Sequence, residues 1–109
     1  MKEWEIWTGN LFGPHPVLLV SAQPRIDRKQ FVVVLKGTTL RAGQPFKVDA
    51  LQAVLDGEDG LSIETRFDCD LLYTLDKSTI TRKWGEVRSL ERRRDIARKI
   101  VQGLVIAGI

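Results

Sequence analysis

A chain of 109 residues that is 43% hydrophobic and 28% charged is long enough to bury one core and too apolar to stay disordered, so a single domain over residues 1–109 is expected. Its one cysteine, Cys69, excludes an intrachain disulfide and a cysteine-based zinc site, which fits a reducing compartment. With no apolar run of membrane-spanning length and no signal-peptide pattern in Met1-Lys2-Glu3-Trp4, a cytoplasmic location without membrane contact is expected. The net charge of +3 is unevenly placed, with eight Lys/Arg against ten Asp/Glu in residues 1–75 and nine against four in residues 76–109. A basic C-terminal third points either to a polyanionic or acidic partner or to a solvated helix face.

Trp4-Glu5-Ile6-Trp7-Thr8 alternates as a half-buried strand, with Trp4, Ile6 and Thr8 on one face and Glu5 and Trp7 on the other. Gly13-Pro14-His15-Pro16 is a stiff connection, because each proline fixes its own φ and pushes its predecessor toward extended geometry. His15, the only histidine, is thereby held extended at the mouth of the most apolar stretch, Val17-Leu18-Leu19-Val20-Ser21, which predicts a strand buried on both faces. Residues 22–29 are expected to be a polar loop with three cations, Arg25, Arg28 and Lys29. Phe31–Leu35 is a second buried strand leading into Lys36-Gly37-Thr38-Thr39, with Gly37 marking a bend or a close backbone approach.

Arg41–Pro45 is expected to turn into a short strand at Phe46-Lys47-Val48, and Leu51–Leu55 is either a helical turn or an edge strand. Asp56-Gly57-Glu58-Asp59-Gly60 lacks the carboxylate spacing of a calcium loop and is expected to be a glycine-rich surface turn. Leu61–Thr65 alternates as a strand, and Phe67–Thr74 continues it through a bulge, with Cys69 buried inside the pattern. Asp76 caps a one-turn helix, a short strand follows around Lys83–Val87, and Ser89 caps a final helix with Glu91 in its first turn. On that helix Ile96, Ile100, Leu104 and Ala107, with Ala97 and Val101 beside them, form an apolar stripe. Asp95 can pair with Arg98 and Lys99, Gly103 allows close packing or an early end, and Arg93 faces away from the stripe. Short strands followed by one helix describe a mainly β domain, a small SH3-like barrel with a C-terminal helix across it.

The order Trp4–Trp7, Pro16–Ser21, Val32–Leu35 ending at Thr38, Gly60-Leu61, Cys69–Ile80 and Gly85 resembles the PemK/MazF/Kid toxin family over nearly the whole chain. The resemblance implies an SH3-like barrel, a symmetric homodimer, and metal-independent and cofactor-independent cleavage of single-stranded RNA. It also implies a cognate antitoxin lying along the dimer groove, with DNA met only through the antitoxin complex. Thr38 matches the family's catalytic threonine. His15 stands where the family's catalytic arginine is expected, and Leu71 and Tyr73 stand where Gln and Arg are common.

Metal-free RNA cleavage needs a base for the 2′-hydroxyl proton, a cation over the developing phosphorane charge and an acid for the leaving oxygen. Histidine is no conservative exchange for arginine, being a single-point donor charged in only part of the population near neutrality. The expected catalytic set is His15 as general acid or base, Lys36 as the cation and Thr38 as a phosphate hydrogen-bond donor; equally, His15 fills a turn between two prolines. Arg25, Arg28 and Arg41 are the expected RNA-binding cations, and Tyr73 and Trp84 are either base-stacking or buried. Two other functions compete: a catalytically impaired relative that binds RNA or protein, and a CcdB-like gyrase inhibitor, since the tail Ala107-Gly108-Ile109 keeps two of three residues of a Trp-Gly-Ile ending.

Overall fold

The computed structural model describes residues 1–41 and 47–104. Six strands form one antiparallel sheet: β1 (Glu5–Asn10), β2 (Pro14–Leu19), β3 (Phe31–Thr39), β4 (Gln52–Leu55), β5 (Thr65–Asp76) and β6 (Lys83–Glu86), in the order β4-β5-β3-β2-β1-β6. Two helices accompany it, α1 (Gln23–Arg28) and α2 (Leu90–Gly103). The sheet curls into a half-barrel, and each face carries its own core. One face holds Ile6, Leu18, Leu35, Leu55, Phe67, Cys69 and Val87 under Ile96 of α2. The other holds Val17, Leu19, Val32, Val34 and Leu75 under Ile26 of α1. Because successive side chains of a strand point to opposite faces, β2 and β3 must be apolar at every position to serve both cores, which accounts for the unbroken runs at Val17–Val20 and Phe31–Leu35.

Gly37 and Gly103 are among the glycines fixed by contact. A Cβ on Gly37 would lie 2.8 Å from the Phe67 ring, where the β3–β5 ladder shifts and two steps of β3 span five of β5. A Cβ on Gly103 would lie 2.6 Å from that of Asp70, so glycine lets α2 approach β5 closely. The β1–β2 hairpin turns through Phe12 and Gly13, both at positive φ, with the Phe12 ring fully exposed.

Several expectations are corrected. Residues 23–28 are helical, because Pro24 in the first turn is compatible with a helix start and Ile26 is drawn into the second core. Lys47 and Val48 are not in a strand, and Phe46 lies outside the described residues. Leu51–Leu55 resolves as an edge strand, and the strand expected from Leu61 begins at Thr65. On α2 only Ile96 is fully buried and Ile100 half-buried, whereas Ala97, Val101 and Leu104 are exposed, and Ala107 lies outside the described residues. Arg93 is half-buried, donating to the Val87 carbonyl at 2.6 Å and lying over the Trp4 ring. Glu5, placed by alternation on one face with Trp7, is buried there and accepts from the Trp7 indole and the Lys83 ammonium. The 56–60 turn is more than a surface loop. Asp59 is buried at its centre, where Arg92 of α2 bonds Asp59 and Asp56. Among the described residues no helix is long and apolar enough to cross a membrane.

Candidate nucleic-acid site

The second core covers only part of its face. Along β3, Val32 and Val34 are buried and belong to that core, and the positions that continue on the same side are Lys36, half-buried, and Thr38, exposed. The β2–β3 ladder pairs Val17 with Lys36 and Leu19 with Val34. The ladder ends at that first pair, two residues short of both His15 and Thr38, while β1 pairs Gly9 with His15. In β5, Arg66 is the direct partner of Thr38, and Val54 of β4 is the partner of Arg66. Antiparallel partners share a face, so Thr38, Arg66 and Val54 form one row across three strands, with Lys36 one step behind Thr38 on β3. The face thus changes from an apolar core to an open polar end.

The other predicted residues are spread along this face. Arg41 is exposed, two residues beyond the end of β3. Tyr73 pairs with Val34 and packs half-buried against the second core, about 13 Å along the strand from Thr38 at roughly 3.3 Å per residue. Arg25 and Arg28 lie on α1 beside the start of β3, and Arg25 Nε donates to the Phe31 carbonyl at 3.2 Å. Register therefore places Lys36 and Thr38 on one side of β3 with Arg66 beside Thr38, leaves His15 two residues past the last β2–β3 pair, and sets Arg25 and Arg28 at the opposite end of β3. Trp84 is partly exposed on β6, donates to the Thr8 hydroxyl at 2.6 Å and stacks with Arg82, its guanidinium 4.2 Å from the ring centre. The Ala107-Gly108-Ile109 tail lies outside the described residues.

Arg66 escaped the sequence reading. It sits between two alternating segments, and its one visible signal is a lone cation inside a strand pattern. Its placement beside Thr38 depends on the three extra residues of β5 at the ladder shift, which no local pattern reveals.

Two hollows lie away from these residues. One of about 350 Å³ lies between residues 57–60 and 83–88, and another of about 560 Å³ runs along Glu58, Arg92, Asp95 and Arg98. Neither is lined by His15, Lys36 or Thr38, and the first has a mixed border of Glu58, Asp59 and Glu86 with Lys83 and Arg88. Along this part of the face Thr38 is exposed, while His15, Lys36 and Arg66 are half-buried. Cys69 is buried and burial pushes its thiol up to about 11, so it is no nucleophile. Among the described residues no group of three His, Cys, Asp or Glu side chains is placed to hold a metal ion.

No curated protein sequence matches the chain. Solved structures do. A mycobacterial endoribonuclease in complex with its cognate antitoxin superposes with a TM-score of 0.79 at 22% identity, over 95% of this chain and 94% of that one. The Mycobacterium tuberculosis toxin MazF-mt6 gives 0.75 at 21% identity over 91% and 94%. The MazE-MazF structure from Deinococcus radiodurans gives 0.72 at 16% identity over 98% and 97%. At these identities the likeness establishes the fold. The family model of the PemK-like, MazF-like toxins matches residues 2–104, so the chain belongs to the PemK-like, MazF-like toxins of type II toxin–antitoxin systems.

Proposed function

We propose that this toxin is an endoribonuclease that cuts single-stranded RNA without a metal ion or cofactor, through the strip of His15, Lys36 and Thr38. The β2–β3 register, which pairs Val17 with Lys36 and runs toward His15 on one strand and Thr38 on the other, supports the reading. The three residues supply a proton-transfer group, a phosphate hydrogen-bond donor and a cation. In the reaction a base takes the 2′-hydroxyl proton and the 2′-oxygen attacks the adjacent phosphorus. The bond to the 5′-oxygen then breaks as an acid protonates it, leaving a cyclic phosphate and a 5′-hydroxyl. His15 serves one of the proton transfers, Lys36 lies over the phosphorane charge and Thr38 bonds a phosphate oxygen. A homodimer and a cognate antitoxin are the expected partners, supported by the family membership and by the antitoxin complex of the mycobacterial relative.

Purified protein incubated with single-stranded RNA and EDTA is expected to yield discrete fragments. His15→Ala and Thr38→Ala are each expected to slow cleavage by about 10²–10⁴-fold. Undiminished cleavage by the double variant would overturn the assignment. A second reading, an impaired relative that binds RNA without cutting it, is favoured by the loss of the family arginine at position 15. Oligonucleotide bound but intact after hours would establish it.

A further inference from the structure

We propose that Arg66 is a second phosphate-binding cation of this strip, contacting the RNA phosphodiester beside Thr38; the inference rests on the ribonuclease reading. Arg66 is the direct cross-strand partner of Thr38, so the two side chains share a face and are nearest neighbours on adjacent strands. Its guanidinium is only partly used. Nη1 donates to the Lys47 carbonyl at 3.3 Å, Nε is shielded from solvent with no partner, and among the described residues Arg66 enters no ion pair. A shielded charged donor without an acceptor is costly, and native chains rarely leave one. The unpartnered Nε belongs to the Nε–Nη2 edge, the fork that matches two oxygens of a phosphate.

Other arginines of the chain behave differently. Arg92 is spent on Asp56, Glu58 and Asp59, Arg93 on the Val87 carbonyl, and Arg98 on Asp95. Among the described residues Arg66 alone combines an unpartnered shielded nitrogen with a place beside Thr38.

The test uses the full chain and a single-stranded RNA made non-cleavable by 2′-deoxy substitution. In the unaltered protein the Arg66 Nε–H resonance is expected to shift on titration with this RNA, together with the Thr38 amide. Arg66→Ala is expected to lower kcat/KM on cleavable RNA by about 10²-fold or more. It should also reduce the slope of log binding constant against log salt by about 0.7, one phosphate contact on a single strand. Arg66→Lys should restore the salt slope but only part of the rate, because an ammonium supplies the charge without the fork. An Nε–H resonance unmoved while that of Thr38 shifts would overturn the proposal even if Arg66→Ala failed to fold. So would a folded Arg66→Ala with unchanged rate and slope. Unaltered protein that leaves RNA intact would overturn the ribonuclease reading along with it, whereas active protein indifferent to Arg66 overturns this assignment alone.

Discussion

Glu5 shows how one side chain can run against the pattern of its strand. A carboxylate at a buried position is expensive, and burial does push Glu5 upward. The Lys83 ammonium at 2.7 Å, the Lys2 amide at 2.6 Å and the Trp7 indole at 3.2 Å nevertheless hold it below its ordinary value of 4.5. A group whose folded pKa is depressed stabilises the fold above its unfolded pKa and loses that contribution as pH falls through the folded value. Glu5→Gln is therefore expected to cost about 1–2 kcal/mol near pH 7, with the difference from the unaltered protein closing as pH drops below 4.5. Urea denaturation at pH 7 and pH 3 checks it, and an equal cost at both would show that shape rather than charge matters. Alternation alone put Glu5 beside Trp7 on one side of β1 and was right about the neighbour. That side is closed by Lys83 from β6, almost eighty residues later, which local pattern cannot show.

At the level of elements, the 56–60 turn and α2 are fastened by one ionic cluster. Arg92 reaches Asp59 at the centre of the turn, with Glu58 at 2.9 Å and Asp56 at 3.3 Å around it. Burial keeps the Asp59 carboxyl above the usual carboxylate range even beside this guanidinium. Removing the cation leaves a buried charge uncompensated, the situation that costs about 3–5 kcal/mol. Arg92→Met should thus destabilise by that order at pH 7 and less in acid, where Asp59 takes up a proton. Adding Asp59→Asn should recover most of the loss, because the amide oxygen can still accept from the Asp56 amide without carrying charge. Thermal melts of the single and double variants decide it, and a double variant no more stable than Arg92→Met would refute the account. The elements themselves were mostly legible: the β2 and β3 runs, the Asp76 and Ser89 caps and the Asp95 pairs with Arg98 and Lys99 all occur where their local signals lie. What sequence could not resolve depends on tertiary context. Whether 23–28 coils or winds is settled by Ile26 finding a core, and where β5 begins by its ladder with β3 and β4. Of the candidate site, His15 and Lys36 drew notice because they flank apolar runs, and Thr38 through the family resemblance. Arg66 was not, because its neighbour in space is fixed by a ladder shift.

Across the whole molecule, two cores on opposite faces of one sheet raise the question of whether they melt separately. The strands argue against it. β2 gives Leu18 to one core and Val17 and Leu19 to the other, β3 gives Leu35 to one and Val32 and Val34 to the other, and β5 runs from Phe67 and Cys69 in the first to Leu75 in the second. Exposing either face strips one side from strands whose other side is still packed, so neither core has a backbone of its own to keep. A single cooperative transition is expected, with calorimetric and van't Hoff enthalpies equal. Ile96→Ala under α2 and Ile26→Ala under α1 should each lower that one transition, by about 2–5 kcal/mol. Because the two side chains lie on opposite faces, the costs should add to within about 0.5 kcal/mol in the double variant. Calorimetry of the three variants is the measurement. If Ile26→Ala split the trace into two transitions, the polar strip built on the α1 face would rest on a subdomain able to open by itself, and the site would be conformationally independent of the barrel beneath it.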